Sequence, residues 1–167
     1  KAPPEPEFDE ELCLQLCRDC GLSQLTKVVH PDRMFRHYLY VSATTATIRE
    51  HFAEFAATAA KAAGAKPGDL ALDIASNDGT LLAAFKTVGL KPLGVDPAEN
   101  LAKEANAKGL TTWCDYWSLA LARRLVRDLC RPKLITAANV FAHADGLPDF
   151  VAGVAACLDP DGLFAIE

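Results

Sequence analysis

The chain has no run of about eighteen apolar residues, so no segment of it reads as a transmembrane helix. It has no long basic run either. Its formal net charge of −5 is spread over 167 residues, which argues against nonspecific nucleic-acid binding as its main work. Residues Lys1 to Glu11 are rich in proline and glutamate and lack the apolar core of a signal peptide, which makes the cytoplasm the expected compartment. A glycine frame of the form G-x-G-x-x-G is missing, and with it the pyrophosphate cradle of a nicotinamide-dependent oxidoreductase. What is present is a chain that is 50% hydrophobic, enough for a real core in one ordinary domain with a small module beside it.

The six cysteines do not form a disulfide framework by their distribution. Cys114, Cys130 and Cys157 fall within strand or helix patterns and read as small buried hydrophobes. Cys17-x-x-Cys20-Gly21 differs. Two thiolates spaced by two residues, with Gly21 allowing a left-handed turn behind them, fit two corners of a tetrahedral zinc site. That is half a site. No second Cys-x-x-Cys precedes Cys13, and Cys13 or His30 are weak substitutes. A redox role is weaker still, because no thioredoxin-like strand precedes the pair.

The centre of the chain alternates between strand and helix patterns. A long helix is expected from Thr45 to Gly64, capped by Thr47, with Ile48, Phe52, Phe55 and Ala59 at helical spacing. Strands then follow at 69–74, 91–95, 110–113, 133–138 and 163–167, separated by helices at 80–88, 98–108, 118–130 and 147–157. This order predicts an α/β fold with a parallel, doubly wound sheet and a ligand at the carboxyl ends of its strands. The stretch Leu72-Asp-Ile-Ala-Ser-Asn-Asp-Gly-Thr80 is the most telling, because a strand runs into a small-residue turn and then a helix. The unpaired N–H groups of a first helical turn and the small loop residues suit close approach by a small molecule. Asp73 and Asp78 would repel a pyrophosphate and suit an ammonium, such as that of S-adenosylmethionine. Asp96 at the end of the next strand, followed by Pro97 opening a helix, is placed to accept both hydroxyls of a ribose. Trp113-Cys-Asp115-Tyr116-Trp117 follows the third strand, where an acidic residue and an aromatic commonly bracket an adenine; core packing competes with that reading.

Asp73-Ile-Ala-Ser-Asn-Asp-Gly-Thr-Leu-Leu82, Leu93-Gly-Val-Asp-Pro-Ala-Glu-Asn100 and Ala138-Asn-Val-Phe-Ala-His-Ala-Asp145 resemble the sugar C-methyltransferase family of S-adenosylmethionine-dependent enzymes. The front end agrees, since Leu16-Cys17 to Leu25 and Tyr38-Leu-Tyr40-Val-Ser42 resemble that family's zinc-binding module and tyrosine-bearing connector. The resemblance implies residues 1–44 as module and connector, and 45–167 as a Rossmann-like cofactor domain of class I methyltransferase type. The cofactors it implies are S-adenosylmethionine and zinc, the latter on Cys17, Cys20 and a further upstream pair. Because the chain stops at Glu167 within a strand, a fragment truncated after the fifth strand is expected, with the main catalytic base downstream.

The same resemblance distributes the site. Asp73, Ala75, Asn77 and Gly79 would hold the methionine end, Asp96 and Pro97 the ribose, and Asp115 with Tyr116 the adenine. Asn139 and Phe141 would border the cofactor from the loop after the fourth strand. Tyr38, Tyr40 and His143 would face the substrate, a nucleotide-linked keto-deoxysugar in a monomeric enzyme. Removal of a proton beside the sugar ketone would let that carbon take the methyl group in line, the protein supplying position and charge stabilisation. A class I methyltransferase on another small acceptor, or a noncatalytic cofactor-binding module, are the alternatives.

Overall fold

A computed structural model of the chain describes residues 9 to 167, and falls into two units that meet in sequence between Met34 and Phe35. The first contains an antiparallel hairpin, β1 (Leu14–Leu16) and β2 (Ser23–Leu25), followed by the short helix α1 (Pro31–Phe35). Gly21, at φ 75°, turns the Cys17–Cys20 knuckle between the strands, and Cys17 N–H donates to Leu22 O at 2.8 Å. Pro31 opens α1; a proline is favoured at a first helical position because it has no N–H to leave unpaired.

The second unit is a three-layer α/β domain. Its elements run α2 (Ala46–Ala62), β3 (Leu70–Ile74), α3 (Thr80–Thr87), β4 (Lys91–Val95), α4 (Glu99–Ala107), β5 (Thr112–Trp113), α5 (Leu119–Asp128), β6 (Leu134–Ala137), α6 (Leu147–Cys157) and β7 (Leu163–Ile166). The five strands are all parallel in the order β5-β4-β3-β6-β7, so the chain reverses direction across the sheet between β3 and β6. That reversal leaves a crevice at the carboxyl ends of the central strands. The predicted elements all appear, with shorter ends. One cap differs: Thr45, not Thr47, accepts the Ile48 N–H at the start of α2. Residues 35–44 belong to this unit and not to the hairpin unit, for reasons given by their hydrogen bonds below.

Strand alternation splits the core into two layers. Leu72, Ile74, Leu93, Val95 and Ile135 pack with Leu121, Leu125, Phe150 and Val154 of α5 and α6. On the other face Ala71 and Leu134 meet Phe52, Ala56, Leu81 and Phe85 of α2 and α3. Strand pairing sets Asp73 opposite Gly94 on one side and Thr136 on the other, which puts three non-aliphatic residues in one row near the carboxyl edge of an otherwise apolar sheet. That row is the floor of the crevice.

Candidate cofactor site

The loop Ala75–Gly79 carries positive φ at every second residue, 60° at Ala75, 52° at Asn77 and 82° at Gly79. Left-handed backbone costs an alanine or asparagine on the order of 1 kcal/mol, so this shape is imposed by its surroundings. Two close approaches do that. Gly94 lies beneath the loop, where a Cβ would collide with Ser76 and reach 2.8 Å from Leu82 Cδ1, and a Cβ on Gly79 would come within 2.8 Å of Leu110 Cδ1. Left-handed backbone thus recurs at alternate positions of the loop, although only the last of the three is glycine.

Every N–H from Ala75 to Thr80 is already used inside the chain. Ala75 and Ser76 donate to Val95 O, Gly79 to Ser76 O, Asn77 to Asp96 Oδ2 at 2.7 Å, Asp78 to Asn77 Oδ1, and Thr80 to Asp78 Oδ1. The loop's own donors are therefore taken within the chain, which leaves carboxylates and shape as what the loop and the strand ends offer. Asp78 also departs from its expected role. It is buried and turned to Thr80, whose hydroxyl donates to it at 2.7 Å, with Lys108 Nζ at 3.9 Å from its other oxygen.

Asp73 and Asp96 form the acidic floor. Asp73 is buried, and Thr136 Oγ1 donates to it at 2.7 Å. Burial pushes its carboxyl up to about 7, the nearby Asp96 adding to the rise while the Thr136 bond opposes it. Asp96, also buried, accepts the Asn77 N–H on one oxygen and the Ala98 N–H at 2.8 Å on the other. Desolvation raises its carboxyl as well, against those two backbone bonds. Each of its oxygens keeps a lone pair, so a ribose could be held without breaking either bond. The row is also fit for a cationic amine: a buried carboxylate with a single hydrogen-bond donor has unmet demand for positive charge.

The remaining predicted residues follow the strands β4, β5 and β6 or lie on the connector before α2. Pro97 follows Asp96 and leads into α4. Asp115 accepts the N–H of Tyr116, whose ring lies 5.4 Å beneath the Arg36 guanidinium. Asn139, at φ 55°, donates its N–H to Glu167 O beyond β6. Phe141 packs edge-on against Phe150 at 5.3 Å and against Phe164, so much of its ring serves the core. His143 is exposed at the end of a single 3-10 turn, Phe141–His143. Asn77 spends its side chain on the connector, its amide donating to Tyr40 O and accepting from Ser42 N–H, both at 3.0 Å. Tyr38 is held through its backbone by Asn100.

Sequence reasoning passed over Thr136, Asn100 and the pair His51–Glu167, in which Nε2 lies 2.9 Å from both carboxylate oxygens. Thr136 had a visible signal. It is the one polar residue in Leu134-Ile-Thr-Ala137, and a hydroxyl in a buried strand needs a partner beside it.

Cys17 and Cys20 flank a tight turn that Gly21 N–H closes by donating to Cys17 O at 3.0 Å. The Cys20 and Asp19 N–H groups, together with the Cys20 side chain, hold the Cys17 thiol below the usual thiol range. Yet among the described residues no three His, Cys, Asp or Glu side chains gather as a metal site, so the residues present do not complete a tetrahedral set.

No protein-family model matches the chain. Among curated proteins it is 34% identical over 152 residues to the C-methyltransferase NovU of Streptomyces niveus, a match that takes in 91% of this chain and 36% of the relative. The chain thus spans about a third of the length of that relative. Among solved structures, magnesium protoporphyrin IX methyltransferase of Synechocystis PCC 6803 with bound SAM superposes with a TM-score of 0.52 at 20% identity, over 66% of this chain and 54% of that one. An S-adenosylmethionine-dependent methyltransferase of Clostridium acetobutylicum gives 0.52 at 19% identity, over 70% and 48%. The fold is therefore that of the class I S-adenosylmethionine-dependent methyltransferases. Among the described residues, no helix is long and apolar enough to cross a membrane.

Proposed function

We propose that this chain carries the cofactor half of an S-adenosylmethionine-dependent C-methyltransferase whose acceptor is a nucleotide-linked keto-deoxysugar. The observation that carries the reading is the floor of the crevice: two buried carboxylates at the ends of adjacent strands, beside a loop whose N–H groups are all bonded within the chain. A dinucleotide needs free donors for its pyrophosphate and meets none in that loop. S-adenosylmethionine carries an ammonium and a ribose diol, which Asp73 and Asp96 complement.

In this reading Ala75, Asn77 and Gly79 shape the wall around the methionine end, Pro97 borders the ribose, and Asp115 with Tyr116 flanks the adenine. Asn139 and Phe141 close the far side, while Tyr38, Tyr40 and His143 face the acceptor and assist the group that removes its proton. The cofactor, when bound, supplies the electrophilic methyl. The acceptor class rests on the motif resemblance alone; the name of the Streptomyces niveus relative supports methyl transfer to carbon. Zinc on Cys17 and Cys20, with ligands from the rest of the protein, and a monomeric, cytoplasmic enzyme complete the proposal.

Calorimetry of the protein against S-adenosylmethionine, S-adenosylhomocysteine and NAD tests it. Binding of the first two and none of the third is the expected result; tight NAD binding without a response to S-adenosylhomocysteine overturns it.

A further inference from the structure

The segment from Arg36 to Ser42 has no strand partner and little apolar burial. Leu39 is 93% exposed, Tyr40 51% and Tyr38 37%. Core packing does not hold this segment in place. Its backbone is held by polar groups of the sheet unit. Glu99 N–H donates to Arg36 O at 3.1 Å. Asn100 then pairs with Tyr38 on both sides, its Oδ1 accepting the N–H at 3.2 Å and its Nδ2 donating to the carbonyl at 2.8 Å. Asn77 does the same across two residues, donating to Tyr40 O and accepting from Ser42 N–H, both at 3.0 Å. An asparagine amide that gives one bond and takes one mimics a neighbouring strand.

One of the two clamps sits on the cofactor loop. The backbone N–H of Asn77 donates to Asp96, and the side chain of the same residue holds the connector. A ligand on Asp96 thus touches a residue that the connector also touches. A glycine at 77 would satisfy the left-handed backbone at no steric cost but would carry no amide.

We propose that Asn77 and Asn100 are positioning residues that clamp the tyrosine-bearing connector to the sheet unit, and that Asn77 makes the order of that connector depend on occupancy of the cofactor crevice. The dependence rests on the cofactor reading above; the clamp does not. By reciprocity, a ligand that orders the loop slows opening of the connector, and a loosened connector weakens the ligand by the same factor.

The test is hydrogen exchange at the Tyr38 and Ser42 amides of the full-length protein, with and without S-adenosylhomocysteine, in the wild type, Asn77→Gly and Asn100→Ala. Asn77→Gly tolerates the loop's left-handed backbone and removes the side-chain amide, which holds Tyr40 O and Ser42 N–H and also accepts the Asp78 N–H. Loss of one such bond is worth roughly a three- to tenfold change in opening. Exchange at Ser42 should quicken by about that factor in Asn77→Gly, and at Tyr38 in Asn100→Ala. S-adenosylhomocysteine should slow both amides in the wild type, still slow Ser42 in Asn100→Ala, and slow neither in Asn77→Gly at a ligand concentration raised to saturate its weakened site. Unchanged ligand-free rates in both variants overturn the clamp. Binding that leaves both wild-type amides unaffected overturns the dependence on occupancy. A wild type that does not bind S-adenosylhomocysteine defeats the cofactor reading and the dependence together, and the ligand-free rates then judge the clamp alone.

Discussion

Leu14, Leu16 and Leu25 in the hairpin are 70%, 66% and 48% exposed, whereas Leu72, Leu82 and Leu134 in the sheet unit are fully buried. The same side chain has opposite fates because two three-residue strands enclose no volume, while a parallel sheet covered on both faces encloses two layers. From residue 9 to Met34 no residue is buried. What shapes the hairpin is therefore its turn: the bonds Cys17 N–H to Leu22 O and Gly21 N–H to Cys17 O, and two thiols brought to one end. The sheet unit is stabilised by burial and can afford buried carboxylates at its crevice. The hairpin unit, among the described residues, has no such reserve.

The sharpest way to break this contrast is to remove apolar volume from each unit. Phe85 is fully buried between α3 and the sheet, so Phe85→Ala should cost about 3–5 kcal/mol in urea unfolding followed by circular dichroism. Leu16→Ala in the hairpin should change the same transition by less than about 0.5 kcal/mol. Equal costs would mean that the hairpin's leucines are covered in solution.

The second effect is a cost that only the sheet unit carries. Asp73 is raised from 3.8 to about 7, so between those values the unfolded chain has released a proton that the folded chain still binds. Stability therefore falls as pH rises through that window, and Asp96, shifted in the same direction, adds to the fall. Asp73→Asn keeps an acceptor for Thr136 and removes the buried charge. It should be more stable than the wild type by roughly 2–4 kcal/mol at pH 8, with the gap closing towards pH 4. Binding should move the other way: in the wild type S-adenosylhomocysteine tightens as pH rises to about 7, and in the variant it is weak throughout. A gap independent of pH would show that Asp73 is ionised without penalty.

How much of this was legible in the sequence follows from where each signal lives. The strand and helix order was readable because apolar period and turn residues are local, and Asp96 because it directly follows the apolar run of its strand. Thr136 becomes meaningful only when β6 lies beside β3, a pairing between residues far apart in sequence. The clamp was illegible for the same reason, since Asn100 meets Tyr38 across 62 residues. Ala75 and Asn77 were read as small loop residues, but their positive φ is imposed by Gly94 and Val95 beneath them. Only part of the loop's bonding is local: Ser76 O, Asn77 Oδ1 and Asp78 Oδ1 accept within it, whereas Val95 O and Asp96 lie at the end of the next strand and could not be paired with it from sequence.

A third effect separates a carboxylate that works from one that is merely present. Asp96→Asn loses the charge offered to two ribose hydroxyls; charge-assisted bonds are worth about 1.5–3 kcal/mol, so S-adenosylhomocysteine affinity should fall roughly ten- to a hundredfold. Because Asp96 also accepts the Asn77 and Ala98 N–H groups, the variant should be less stable by about 1–3 kcal/mol as well. The exposed Asp19→Asn, on the knuckle, should alter neither quantity. An unchanged dissociation constant for Asp96→Asn would place the ribose elsewhere.

The smallest effect is expected where the hairpin has most to gain. The N–H groups around Cys17 lower its thiol from the ordinary range, but a structural zinc takes four ligands and among the described residues no three His, Cys, Asp or Glu side chains gather. Zinc added to residues 1–167 should bind weakly and shift the unfolding midpoint of the sheet unit negligibly, because metal energy becomes folding energy only where a full ligand set closes. In the full-length protein, one zinc per chain should resist dialysis and be lost in a Cys17→Ser, Cys20→Ser variant. Metal analysis of both proteins decides the matter. A tightly held, stoichiometric zinc on residues 1–167 would recruit Cys13 or His30 as a ligand and give the hairpin the internal anchor that its exposed leucines lack; no zinc in the full-length protein would leave the two thiols as turn residues alone.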